Sequence, residues 1–192
     1  MHSSKITILS VSECWFSENK AETGILYLSQ SAAFFSDYVA FCNNTAGPVL
    51  LFSSNVTVME HSSIEIQRNN LLQRNWTETT SLQQGGAVTA IQIIIMVHGK
   101  CILIDNTAEN GGAIHITESN ILVYGEVIIA NNRATDSGGG VHLYQSELKC
   151  KVNSILNITN NTANLKGGGI HAISSLIISE SKQQSTSLVL LH

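Results

Sequence analysis

The sequence predicts an all-β chain wound into a single-stranded parallel β-helix solenoid, about six to seven coils of three short strands each. Three observations predict it. A Gly-Gly-small-aliphatic phrase recurs along the chain, and an apolar-x-x-Asn marker precedes each copy. Around the two markers, apolar and polar residues alternate in columns that hold from copy to copy. A repeat of this length marks a stack of similar units, and period-two alternation marks half-buried strands.

The glycine phrase reads Gly85-Gly86-Ala87-Val88, Gly111-Gly112-Ala113-Ile114, Gly138-Gly139-Gly140-Val141 and Gly167-Gly168-Gly169-Ile170, with worn copies at Gly24-Ile25-Leu26 and Gly47-Pro48-Val49. The anchoring glycines are Gly24, Gly47, Gly86, Gly112, Gly139 and Gly168. Each is expected at a position that needs positive φ or leaves no room for Cβ. The asparagine marker ends at Asn19, Asn44, Asn69, Asn106, Asn132 and Asn161. These six are expected to stack at one corner, their amides bonding up and down the stack, since Asn also tolerates the αL conformation of turns.

Each strand follows from its columns. Two and four residues past the glycine lie apolar positions such as Ile114 and Ile116, or Val141 and Leu143. Nine and eleven past it lie Ile121 and Val123, or Leu148 and Cys150. Five and three before the asparagine lie Val127 and Ile129, or Leu156 and Ile158. A single coil cannot bury its inward face, whereas coils stacked about 4.8 Å apart share one long core. Helical repeats need apolar residues at three- and four-residue spacing, which is absent here. The strands carry Ile, Val and Thr, and the turns carry Gly, Asn and Ser.

Composition narrows the function. Of 192 residues, 12% are charged and the net charge is −4. No basic patch offers to neutralise phosphates, so nucleic acid is not an expected partner, and neither is a polybasic contact with a membrane. The longest apolar run, residues 91–97, is too short to span a bilayer. Strand-like sequence starts near the first residue and recurs at Ser187-Leu188-Val189-Leu190-Leu191. The whole of 1–192 is therefore expected to be one β-helix domain, a fragment of a longer solenoid. The lengthened turn 70–84 is its one insertion.

Cys14 and Cys101 share an inward column but lie three coils apart, beyond disulfide reach. Cys42 is expected to point outward and Cys150 inward, and all four cysteines to be free thiols. No CxxC spacing suggests zinc. Five sequons place N-glycosylation candidates at Asn43, Asn55, Asn75, Asn157 and Asn160, which only a secreted eukaryotic chain would use.

The marker pair resembles the GGA[ILV] and FxxN repeats of chlamydial polymorphic outer membrane proteins. Gly85-Gly86-Ala87-Val88 and Gly111-Gly112-Ala113-Ile114 fit the first, and Phe16-Ser17-Glu18-Asn19 and Phe41-Cys42-Asn43-Asn44 the second. Similar repeats occur in right-handed β-helix surface proteins of sponges and other simple animals. The resemblance spans about residues 5–182 and implies a right-handed parallel β-helix at the cell surface. Adhesion is the role it implies for the bacterial members. Two copies have lost a glycine, later FxxN copies begin with Ile or Leu, and no autotransporter barrel is present. The sequons suit the animal branch better.

Site candidates are few. Ser31, Ser54, Ser119, Ser146 and Ser175 form a second turn column. His115, His142 and His171 form an outward column about one strand spacing apart, which suits stacked surface histidines better than convergence on one metal ion. Polysaccharide lyases and hydrolases are the enzymatic alternative. They need paired carboxylates or an acidic calcium cluster. The only aspartates, Asp37, Asp105 and Asp136, fall on different coils, and His98-Gly99 is half of a Gly-His-Gly motif. No catalytic residue, metal site or cofactor is therefore expected. The loop 70–84 carries Arg74 and Trp76, and a loop Trp suits stacking on sugar or protein. The expected function is a non-enzymatic extracellular or cell-surface module, structural or adhesive, with protein or carbohydrate as partner.

Overall fold

The structure is a computed structural model that describes residues 7–19, 26–29, 31–44, 49–52, 55–67, 85–180 and 188–190. These residues form a parallel β-solenoid with no helix among them, of about five turns of three-strand coils. The expectation of six to seven coils is slightly high. The first face stacks Leu26–Ser29, Val49–Phe52, Val88–Ile91, Ile114–Thr117, Val141–Tyr144 and Ile170–Ile173 in one parallel sheet. The second carries Asn55–Val58, Ile94–Val97, Asn120–Val123, Glu147–Cys150 and Leu176–Ser179. The third carries Ser63–Gln67, Lys100–Ile104, Glu126–Ala130, Ile155–Thr159 and Leu188–Leu190. Near the N-terminus, Thr7–Ser17 and Ser31–Cys42 run through both the second and third faces, bending where Glu13 and Asp37 take positive φ.

The register places like on like. Ile114 pairs with Val141 and Ile116 with Leu143 on the first face, while Val127 pairs with Leu156 and Ile129 with Ile158 on the third. The predicted inward columns make the core. Phe41, Leu103, Ile116, Ile129, Leu143, Leu156 and Ile158 are fully buried. Each such side chain contributes about 1.5–3 kcal/mol relative to exposure. Phe16 and Phe41 stack ring on ring at 4.6 Å between successive coils.

The corners carry the polar half of the design. Asn132 Oδ1 accepts from the backbone N–H and the Nδ2 of Asn106, at 2.9 and 3.1 Å. Asn132 Nδ2 in turn donates to the carbonyl of Leu103 and to Asn161 Oδ1, both at 2.9 Å. Asn19 and Asn44 repeat this geometry, with Asn44 Nδ2 on the carbonyl of Phe16. Asn69 lies outside the described residues. The αL conformation expected of these asparagines belongs to the residue before each: Glu18, Asn43, Asp105, Asn131 and Asn160 have φ of 53–57°. A side chain reaching inward to bond two coils is better held by extended backbone, so turning and bonding fall to adjacent residues.

The glycine phrase splits in the same way. Gly111 takes φ of 62°, as its counterparts in the other three full copies take positive φ. Gly112 does not, but a Cβ there would run into the carbonyl oxygen of Gly139 one coil on. At the next corner Ser119 Oγ accepts from Ile93 N–H and donates to the carbonyl of Thr117, and Ser146 repeats both bonds. A third corner was not anticipated: Gly125 sits where a Cβ would meet the Gly99 carbonyl, and the adjacent His98 and Tyr124 rings stack at 4.5 Å.

All four cysteines are free. Cys42 corrects an expectation: its column faces outward, yet it is buried, with the Gln67 amide at 3.6 Å from its sulfur. Cys101 is half-buried as a residue but lines the apolar interior, where desolvation pushes its thiol up to about 12.

Asn132→Ala is expected to cost about 3 kcal/mol in urea denaturation, because the Asn106 donors and the Leu103 carbonyl lose a buried partner together. Asn131→Gly, one residue away at φ 56°, is expected to change stability by less than about 0.5 kcal/mol. Equal costs for the two would show that the amide stack does not tie the coils.

Candidate functional site

A groove of about 610 Å³ runs along the first face and crosses four coils. Its floor follows from strand alternation. On each first-face strand the residues between the inward columns must point out, which gives one column of Thr89, His115, His142 and His171. Two residues further along each strand come Ile91, Thr117, Tyr144 and Ile173. The wall comes from the short segments that run from the asparagine corner to the glycine phrase. The strand pairs Thr107–Ala108, Arg133–Ala134 and Thr162–Ala163 stack these segments. Asn110, Asp136, Ser137, Leu165 and Lys166 then project beside the floor. Asn110 Oδ1 accepts from Ser137 N–H at 3.2 Å, and Ser137 Oγ donates to Asp136 Oδ1 at 3.1 Å, which fixes this wall to itself between coils.

The histidine column therefore needs correcting. It points away from the core, as alternation requires, but it does not lie on open surface. The wall covers it, and His142 is only 8% exposed. His115 and His142 stack nearly parallel with ring centres 4.8 Å apart, and His171 continues the column at 5.0 Å, tilted by 54°. Rings stacked like plates on one strand face cannot converge on one ion. Among the described residues no group of three or more His, Cys, Asp or Glu could hold a metal.

Their electrostatics follow from this setting. Desolvation, then the neighbouring His142, lowers His115 to about 4. Burial also lowers His142, followed by His171, with Asp136 pulling the other way. All three Nδ1 atoms are buried without a hydrogen-bond partner. A buried N–H without an acceptor is costlier than a buried lone pair, so the proton of each neutral ring belongs on Nε2. The Nε2 of His115 lies 3.2 Å from Thr117 Oγ1.

The other sequence candidates scatter. Asp105 is exposed in the asparagine corner, Asp37 is exposed at the bend between second and third faces, and only Asp136 reaches the groove. Arg74, Trp76 and Asn75 lie outside the described residues. Asn43 and Asn160 are exposed at αL turns, Asn55 begins a second-face strand, and Asn157 sits within a third-face strand with its Oδ1 buried. Two of these sequons thus arise from the corner itself, an αL Asn, then the stacked Asn, then Thr. The groove wall has no residue signature in the sequence, because Asn110, Asp136, Ser137, Leu165 and Lys166 share no side-chain type. Its one signal was the matched spacing of asparagine and glycine markers in the last three copies, Asn106 to Gly112, Asn132 to Gly139 and Asn161 to Gly168.

A family model for the Chlamydia polymorphic membrane protein repeat matches residues 155–173. That stretch holds the third-face strand Ile155–Thr159, the stacked Asn161, the wall segment and the strand Ile170–Ile173. The chain thus resembles these repeats in both markers and in the fold they build. No curated protein and no solved structure matches it. Among the described residues no helix is long and apolar enough to cross a membrane.

The lowered histidines predict a pH dependence. The unfolded chain binds protons near 6.5 and folded His115 only near 4, so between these values the unfolded state holds more protons. Stability should be full above about pH 6.5 and fall as the pH drops toward 4. Replacing His115 with Gln should flatten that slope in denaturation curves. An unchanged slope would mean that the column titrates normally.

Proposed function

We propose that this chain is a non-enzymatic segment of a cell-surface β-helix whose role is adhesion, with protein or carbohydrate held along the groove of the first face. One observation carries the reading. The recurring Asn, Ser and Gly residues tie coil to coil at the corners, whereas the groove floor sets an outward column of Thr89 and three histidines beside a column that changes from copy to copy: Ile91, Thr117, Tyr144 and Ile173. Fixed positions hold the scaffold, and varied positions are free to recognise. The match to a polymorphic membrane protein repeat supports a surface setting, as do the low charge and the exposed corner sequons. The loop 70–84, with Arg74 and Trp76, is a second proposed contact.

The enzymatic alternative is weaker at this groove. A glycosidase needs two carboxylates across the scissile bond. Asp136 is the single carboxylate among the described lining residues, and Asp37 and Asp105 lie at other corners.

Immobilised chain is expected to retain cells or extracellular matrix, and both Tyr144→Ala and Trp76→Ala are expected to weaken retention several-fold. Turnover of a polyuronide by the purified chain would overturn the non-enzymatic reading. Secreted from a eukaryotic host, the chain is expected to carry glycan on Asn160, exposed in its turn, and not on Asn157, whose Oδ1 is buried within a strand. Peptide mapping by mass spectrometry reads both sites. Modification of Asn157 in preference to Asn160 would contradict the assignment of exposed corners as the acceptors.

A further inference from the structure

We propose that the groove takes an uncharged, hydroxyl-rich saccharide chain lying along the solenoid axis, across the strands, with its sugar units in step with the coils. This rests on the adhesive reading and names its ligand.

The hydrogen-bonding character of the floor comes first. With each Nδ1 buried and unpartnered, the imidazole protons sit on Nε2. His115 directs its Nε2–H to Thr117 Oγ1. Among the described residues no hydroxyl stands in the same relation to His142 and His171, which line the groove one coil apart and present two N–H donors to it. Donors in a semi-enclosed site call for oxygen acceptors such as sugar hydroxyls and ring oxygens. On the wall, the Asp136 carboxylate already accepts from Ser137 and retains capacity for hydroxyl donors. A hydroxyl both donates and accepts, so one chemical group satisfies floor and wall together.

Charge comes second. The charged lining residues are Asp136 and Lys166, one of each sign, and between them His115 and His142 resist acquiring charge because their stacked rings are desolvated. A polyanion would find one cation and one repelling carboxylate. A polycation would meet Lys166 and no second carboxylate. An uncharged ligand pays neither penalty.

Spacing comes third. The floor repeats at the strand separation, about 4.8 Å, which the 4.8 and 5.0 Å ring separations reproduce. A polypeptide lying across the strands presents like-facing groups about every 6.6–6.8 Å and loses register by the second coil. A pyranose unit is close to one coil in length. Tyr144 and Ile173, 40% and 38% exposed, form the apolar strip on which the C–H faces of sugar rings would rest.

The test uses the full chain and neutral oligosaccharides of graded length drawn from glucans, mannans, xylans and chitin, with sulfated and uronate oligosaccharides for comparison. Binding is followed by calorimetry and by the imidazole resonances of the groove. For at least one neutral series, affinity should rise with length and level off near four units, one for each coil of the groove. His142→Ala and His171→Ala should each lower affinity about tenfold or more. His142→Gln, which keeps an N–H donor, should lose less, and it stands in if the alanine variant does not fold. Absence of any shift with the whole neutral set, tighter binding of sulfated or uronate chains, or affinity indifferent to His142 and His171 would each overturn the proposal. Cell retention that persists while the neutral set fails would leave adhesion standing and this ligand assignment refuted.

Discussion

The coil-to-coil hydrogen bonding of the asparagine corner is the constraint on which the structure depends. A parallel coil must turn sharply three times, and each turn exposes backbone groups that the neighbouring coil has to satisfy. Asn132 does this at one point: it accepts from the backbone and side chain of Asn106, and it donates to Leu103 and Asn161. The corner is thereby locked in register, and register decides which residues face in. A slip of one residue would turn Ile129 and Ile158 outward and Ile128 and Asn157 inward. The apolar core and the polar ladder are one specification, since the ladder holds the register that the core requires.

The remaining corners solve the same problem with smaller means. The glycine phrase lets backbone approach backbone across coils, and Gly112 lies so near Gly139 that no side chain fits between them. The serine corner bonds through a hydroxyl that accepts from one coil and donates within its own. These devices engage almost every recurring polar residue. The groove forms away from these corners, on the outer face of the first sheet and the segments beside it. The wall shields His115 and His142, which is why these outward-facing rings behave electrostatically as partly buried ones.

Strand alternation and corner spacing thus made the fold legible in full at the level of columns. Every described inward position from the second-face and third-face columns of the central coils is buried or packed against the core, Cys101 included. The candidate site was half legible. The histidine column and its spacing could be read from the glycine register, but the wall could not. Asp136, Ser137, Leu165 and Lys166 share no residue type, and nothing local in the chain says that their segment folds back beside the first sheet. Cys42 went astray for a related reason: alternation set its direction, but Gln67 one coil on covers it.

The sequence by itself determined which residues repeat, and hence the strands, the corners and the shared core. Those features arise from local periodicity multiplied by translation along one axis. Only the tertiary structure decided the division of labour within each motif, αL turn at Asn131 and bonding at Asn132, φ at Gly111 and contact at Gly112. It alone also decided that an outward face becomes a groove. Burial of an outward side chain depends on a segment of the same coil folding over it, and periodicity along the chain carries no record of that distance in space.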